Sequence, residues 1–203
     1  MMRLHGSEIL FASHNQGKVD EMAHLLSPYK VAVKSAADLG LPEPVEDGTT
    51  FVENARIKAH AAAKATGLMA LSDDSGIAVE ALGGAPGVYT ADWAETATGR
   101  DFTMAMERTW RELETIGAPY PRRAAFCCTL VLAWPDGADM VFEGKVDGQC
   151  VWPMRGHEGH GYDPMFQPDG YDITFGEMDR WEKNKISHRA RAFAQFVTAC
   201  FDS

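Results

Sequence analysis

The order of local signals along the first eighty residues constrains this chain most, because strand-like and helix-like segments alternate there with only short connections. Residues 8–13 (EILFAS) form a short apolar run that reads as a buried strand. The run enters a turn at His14-Asn15-Gln16-Gly17. Residues 18–26 follow as a helix with Met22, Leu25 and Leu26 on one face. Residues 30–34 alternate as a second strand, and residues 39–48 make a proline- and acid-rich loop. Thr50 and Glu53 have the spacing of a capping box, which opens a helix through residue 65 that Gly67 ends. A strand over residues 68–72 is expected to break at Asp73-Asp74-Ser75-Gly76 and resume over residues 77–81.

Beyond residue 81 the pattern changes. A glycine-rich loop at residues 83–87 precedes a helix over 101–115. Two long strands over 123–134 and 140–152 are joined by Pro135-Asp136-Gly137 and read as a hairpin. A second glycine-rich loop covers residues 155–163, and a last helix is expected from about Ile186 and Ser187 to Phe201. Alternation followed by a hairpin predicts an α/β fold with a mixed sheet flanked by helices. No internal repeat or low-complexity linker divides the 203 residues, so residues 1–203 read as one domain.

Composition narrows the function. Hydrophobic residues make up 45% of the chain, enough for a substantial core, yet no stretch reaches the length of a membrane span. Residues 1–13 hold no apolar segment long enough for a secretory signal, so a soluble cytoplasmic protein is expected. The four cysteines lack zinc or redox spacing and read as reduced thiols, with Cys127 and Cys128 on opposite faces of one strand. A net charge of −10, from 29 acidic and 19 basic residues, argues against a nucleic-acid partner. It leaves room for one small phosphate ligand held by a few lysines and a cation.

Four clusters carry candidate chemistry. Ser13, His14, Asn15, Gln16, Gly17 and Lys18 sit where a strand turns into a helix, so backbone amides and a lysine converge on a place suited to phosphate. The Walker spacing is missing, and the same residues also read as a helix cap with an exposed lysine. Asp73 and Asp74 place two carboxylates side by side, which raises the proton affinity of each unless a cation relieves them. Mg²⁺ prefers such oxygen ligands, Glu46 in the acidic loop could add another, and one carboxylate could draw a proton from water. The alternative is a solvated acidic turn. His160, Gly161, Tyr162 and Asp163 place flat rings beside glycine, as a nucleobase requires. His157, His160 and Cys150 also admit a zinc reading, although H-E-x-x-H spacing is absent. Lys183, Ser187, His188 and Arg189 put positive charge at a helix start, against the dipole, which an anion or a carbonyl-bearing ligand would explain.

Taken together, the series SHNQGK, FVENARIKA, SDDSGIAVEALGGAPGVYTA, FEGKVDG, GHGYDP and KNKISHRARA resembles the inosine triphosphate pyrophosphatase family. The matching blocks run from residue 11 to about residue 192. The resemblance implies a homodimer of α/β subunits with a long mixed sheet and two lobes around a central cleft. It also implies Mg²⁺-dependent hydrolysis of dITP, ITP and XTP to the monophosphate and pyrophosphate. By position, residues 13–18 would bind phosphate. Asp74 would be general base and metal ligand, supported by Asp73 and Glu46. Ser75, Lys58 and Lys183 would contact substrate, residues 160–163 would hold base and sugar, and His188 and Arg189 would read the 6-oxo group. Donors facing that carbonyl are left unpaired by adenine, which carries an amino group there. Two positions depart from the family pattern: His160 stands where phenylalanine is usual, and His14 where a small residue is common. The other functional class compatible with these blocks is a purine nucleotide-binding protein without catalysis.

Overall fold

The first strand, β1 (Glu8–Phe11), forms because Ile9, Leu10 and Phe11 are all buried while Glu8 stays at the edge. In the computed structural model, which describes residues 4 and 7–201, β1 leads into helix α1 (Gln16–Leu26) and then strand β2 (Ala32–Ser35). Residues 1–3, 5 and 6 of the N-terminal segment, and residues 202–203, lie outside the described residues. Helix α2 (Phe51–Thr66) carries the expected capping box, with Thr50 accepting from the Glu53 amide, and ends at Gly67 in the left-handed region. Strand β3 (Ala70–Val79) follows, then the small hairpin of β4 (Glu95–Thr96) and β5 (Gly99–Arg100), helix α3 (Phe102–Thr115), strands β6 (Arg123–Ala133), β7 (Asp139–Cys150) and β8 (Phe166–Pro168), and helices α4 (Arg180–Ile186) and α5 (His188–Cys200).

The six main strands form one mixed sheet in the order β2-β1-β3-β6-β7-β8. β1 pairs parallel to β2 and to β3, whereas β7 and β8 are antiparallel. The predicted α/β class with a mixed sheet is what the chain adopts.

Two compact units are distinguished, Met1–Asp74 with Thr129–Glu143 and Ala192–Ser203, and Ser75–Cys128 with Gly144–Arg191. In the first, α2 presents Ala55, Ala59, Ala62 and Ala63 to Leu10, Ala70, Val131 and Ala133. Alanine at these positions lets the helix axis approach the sheet closely, and the Ser72 hydroxyl donates to the Ala55 carbonyl at 2.6 Å to fix the depth. In the second, Phe126 meets Phe166 edge-on with centroids 4.7 Å apart and stacks on Phe175 at 5.9 Å, within a core that includes Ile77, Met106, Leu113 and Met165. None of the four cysteines is in a disulfide, and Cys128 is buried while its neighbour Cys127 is half-exposed, as opposite strand faces require.

Two expectations need correction. β3 runs unbroken through Asp73-Asp74-Ser75-Gly76, with no turn there. Carboxylates can stay in a strand because each finds a lysine (below), while Ile77 and Val79 keep the apolar alternation going. β2 begins at Ala32 and not at residue 30, because Lys30 takes a left-handed conformation (φ 57°) after a short turn of 3₁₀ helix at Ser27–Tyr29. The last helix, α5, starts where it was expected, and the sequence reading lacked only the helix before it: Asp179 caps α4 by accepting from the Trp181 amide, and Ser187 adopts an extended conformation that separates α4 from α5.

Candidate functional site

In the first unit, β1 delivers residues 13–18 to the start of α1. Asn15 caps that helix, its Oδ1 accepting from the Lys18 amide at 3.2 Å, and the Ser13 hydroxyl accepts from the Asn15 amide at 3.1 Å. No acidic residue occupies the first turn, and Gln16 and Gly17 are exposed, so the helix start keeps its positive end open to an anion. Lys18 reaches β3, where its ammonium bonds both carboxylate oxygens of Asp73 at 2.8 and 3.1 Å. Asp73 is only 3% exposed, so this partner is what permits its charge. The His14 ring is engaged by residues after β2, through the Leu41 carbonyl and the Glu43 carboxylate.

One residue further along β3, Asp74 faces α2. The ammonium of Lys58 lies 3.4 Å from Asp74 Oδ1 and 2.7 Å from Glu46 Oε2, so a single cation joins the strand carboxylate to the acidic loop. Asp74 Oδ2 is buried without a hydrogen-bond partner. Burial pushes the Asp74 carboxyl up to about 6, Glu46 and Asp73 push the same way, and Lys58 pulls against them. Burial works against the charge on Lys58 too, but Asp74, Asp73 and Glu46 outweigh it and the lysine is held above its ordinary value.

The acidic loop is fastened at its far end by α2. Asn54, 5% exposed, accepts from the Gly48 amide through Oδ1 at 2.8 Å. A Cβ at Gly48 would lie 2.6 Å from that same Oδ1 and from Glu53 Cβ, so only glycine fits against the helix start.

In the second unit, the loop before β8 is built around Asp163. Its carboxylate accepts from the His160 amide at 2.7 Å and pairs with Lys183 of α4. Gly159 has φ +74°, and a Cβ there would collide with the Asp163 carboxylate. Asp163 therefore shapes the loop and is itself buried, and Tyr162 is equally buried, meeting Phe102 edge-on at 6.2 Å, with its phenol pushed up to about 12 by burial. Of the four residues singled out here, His160 has the exposed ring. At the start of α5, Ser187 accepts from the Ala190 amide, and the buried His188 ring stacks on Phe126 with centroids 4.9 Å apart and planes 13° from parallel. Arg189 is half-buried beside it, and Ser75 is half-buried on β3.

Residues 9–199 of this sequence match the model of the Ham1 family. The chain belongs to that family. Among its relatives, the dITP/XTP pyrophosphatase of Ruegeria pomeroyi is 68% identical over 196 residues, which cover 97% of this chain and 96% of the relative. A HAM1 protein from Coxiella burnetii has the same fold with a TM-score of 0.89 at 36% identity, covering 98% of each chain. A nucleoside-triphosphatase, dITP/XTP pyrophosphatase, from Mycobacterium abscessus gives a TM-score of 0.79 at 37% identity, over 94% of this chain and 98% of that one. The resemblance drawn from the motif series is borne out.

For this Ham1 chain the donor set fits a divalent cation. Asp74 Oδ2 lacks a partner, and Lys58 already shows that one positive centre can satisfy Asp74 and Glu46 together. Among the described residues no three His, Cys, Asp or Glu side chains gather into a ready cage. A hard cation held by one or two carboxylates, with water and phosphate oxygens completing its shell, matches such a site better than a structural zinc does. Cys150, part of the zinc alternative, is buried with its thiol pushed up to about 12 by that burial, which disfavours the thiolate a zinc ion needs.

Sequence reasoning missed two features of the site. A cavity of about 690 Å³ borders His160, and the β4–β5 hairpin and the start of α3 line it through Arg100, Asp101 and Phe102. Only their distance in sequence hid them, since the hairpin has no motif of its own. The partners of His14 were also invisible, because Leu41 and Glu43 lie 27 and 29 residues away. Among the described residues no helix is long and apolar enough to cross a membrane.

Proposed function

We infer that this chain is a nucleoside-triphosphate pyrophosphatase that hydrolyses dITP, ITP and XTP to the monophosphate and pyrophosphate. The observation that carries the reading is Asp74, a half-buried carboxylate with one buried, unpartnered oxygen and a proton affinity raised to about 6, beside Lys58 and Glu46. A carboxylate raised that far is a better proton acceptor than an ordinary aspartate and is still mostly ionised near neutral pH.

Mg²⁺ bound through Asp74 and Glu46, with Asp73 in support, would supply charge to the phosphate oxygens and lower the proton affinity of a bound water. Asp74 Oδ2 accepts the proton of the attacking water. The amides of Gln16 and Gly17 at the start of α1, with Ser13, the His14 backbone and Asn15, bind phosphate oxygens. Lys18 and Lys58, which pair with these carboxylates, would turn to the phosphates if a cation held the carboxylates. Ser75 adds a substrate contact beside Asp74, and Lys183 adds one beside Asp163. The exposed ring of His160, with the Gly161 backbone, stacks on the base. Tyr162 and Asp163 act from beneath by holding that loop. His188 and Arg189 donate to the 6-oxo group, a contact adenine cannot satisfy. The reading includes a cytoplasmic homodimer without a nucleic-acid partner, in keeping with the charge of −10.

Pyrophosphate release from dITP, XTP, dGTP and dATP, measured side by side with Mg²⁺, tests it. Fast release from dITP and XTP, with little from the other two, is expected. Folded protein that binds dITP and releases nothing would establish a binding protein instead.

A further inference from the structure

The acidic loop that carries Glu46 has little backbone support. Residues 41–48 read Leu-Pro-Glu-Pro-Val-Glu-Asp-Gly, and the prolines at 42 and 44 have no amide to donate. Among the described residues, no backbone-to-backbone hydrogen bond involves residues 42–47. Side chains do most of the holding. At its far end Asn54 bonds the Gly48 amide, in its middle Lys58 bonds Glu46, and at its near end the Leu41 amide bonds the Ala36 carbonyl while His14 holds the Leu41 carbonyl.

His14 reaches this near end from a different strand. Its Nε2 lies 2.6 Å from the Leu41 carbonyl oxygen, which can only accept, so Nε2 carries the proton. The opposite ring nitrogen, Nδ1, lies 3.3 Å from the Glu43 carboxylate, so the ring faces loop groups on both sides. The loop in turn continues to Glu46, three residues past Glu43. One imidazole thereby joins residues 13–18 after β1, where phosphate is expected, to the residues after β2 that bring up a metal carboxylate.

We propose that His14 is a positioning residue: it latches the acidic loop to the phosphate-binding turn and so holds Glu46 in reach of Asp74 before the cation and nucleotide arrive. The latch removes loop motion that would otherwise have to be frozen on binding, so its effect falls on the metal requirement more than on turnover. The inference rests on the reading that Glu46 serves the nucleotide-bound metal, and its test separates the two.

The test measures hydrogen–deuterium exchange of the full chain in chelator, without nucleotide, for wild type, His14→Ala, His14→Gln and Glu43→Gln. Glutamine can still donate to the Leu41 carbonyl, so it serves as the conservative variant. Exchange at the Leu41 and Gly48 amides, which hydrogen-bond the Ala36 carbonyl and Asn54 Oδ1 at the two ends of the loop, is expected to rise about five- to tenfold in His14→Ala, the equivalent of about 1–1.4 kcal/mol. It should rise less in His14→Gln and Glu43→Gln, while amides of α1 and α2 keep wild-type protection. In parallel, the Mg²⁺ concentration giving half-maximal dITP hydrolysis should rise in His14→Ala by more than turnover at saturating Mg²⁺ falls, and His14→Gln should recover part of it. Unchanged exchange at Leu41 and Gly48 in His14→Ala overturns the proposal. So does a rise spread equally over α1 and α2, which would make His14 a general stabilising contact. If wild type hydrolyses no nucleotide yet the local exchange change appears, the latch stands and the pyrophosphatase reading fails.

Discussion

Replacing Asp74 with asparagine should make the protein more stable while abolishing its activity, and the stability gain should depend on pH. Burial raises the Asp74 carboxyl from the ordinary 3.8 to about 6, against the pull of Lys58. Below pH 3.8 the group is protonated in both folded and unfolded chains and contributes no difference. Between about 4 and 6 the folded state holds a proton that the unfolded chain releases, so stability falls as pH rises. Above about 6 both states are ionised and the folded state carries the full cost of a buried charge. The gap between 3.8 and about 6 corresponds to about 3 kcal/mol at 1.36 kcal/mol per tenfold change.

Asparagine keeps the shape and removes the charge. The attraction of Lys58 is already included in the raised value, and Lys58 retains Glu46 at 2.7 Å in the variant. A new amide beside an ammonium takes back part of the gain, so a net increase of about 1–3 kcal/mol is expected above pH 7. For a chain of this size that is about 3–9 °C in Tm. Thermal unfolding of both proteins in chelator, at pH 8 and at pH 4.5, isolates the effect, since every other titrating group is common to the two. The variant should unfold several degrees higher at pH 8 and nearly level with wild type at pH 4.5, and it should release no pyrophosphate from dITP. A variant less stable at pH 8, or equally more stable at both pH values, would refute the assignment of Asp74 as a strained carboxylate kept for function.

Three further substitutions probe the supports of the site. Asn54→Ala leaves the Gly48 amide without its buried acceptor, so a loss of about 1–3 kcal/mol is expected in urea unfolding, with a weaker response to Mg²⁺; unchanged stability would mean the loop is held elsewhere. Gly159→Ala drives a methyl into the Asp163 carboxylate at a positive φ, so KM for dITP should rise at least tenfold from a strain of about 2 kcal/mol or more, and a wild-type KM would remove the His160 loop from substrate binding. Phe126→Ala removes the ring on which His188 stacks and opens a cavity against Phe166 and Phe175, for a cost of about 3–5 kcal/mol. At a temperature where the variant remains folded, its preference for dITP over dATP should fall, and an undiminished preference would count against His188 as a reader of the 6-oxo group.

How far the sequence discloses this molecule depends on the range of the interaction that decides each feature. The capping box at Thr50 and Glu53, the glycine that ends α2 and the hairpin of β6 and β7 were legible because neighbours a few residues apart settle them. The four clusters stand out in sequence for a related reason: the proposed phosphate, metal and base contacts each call for residue types that gather in short motifs. The run at Asp73-Asp74 was misread as a turn because its local propensity is that of a solvated loop, and the lysines that reverse it lie elsewhere, Lys18 at 55 residues' separation and Lys58 at 16. The same limit hid the work of His14, whose partners come from a loop beyond the next strand, and demoted Tyr162 from ligand contact to core. In each case a charged or aromatic side chain looked free in sequence and was claimed by a distant partner in the fold. Asp74 Oδ2 is different, since burial leaves it without one. An oxygen that folding desolvates and does not satisfy is held ready for something absent from the chain, and that makes it the firmest structural argument for chemistry at this site.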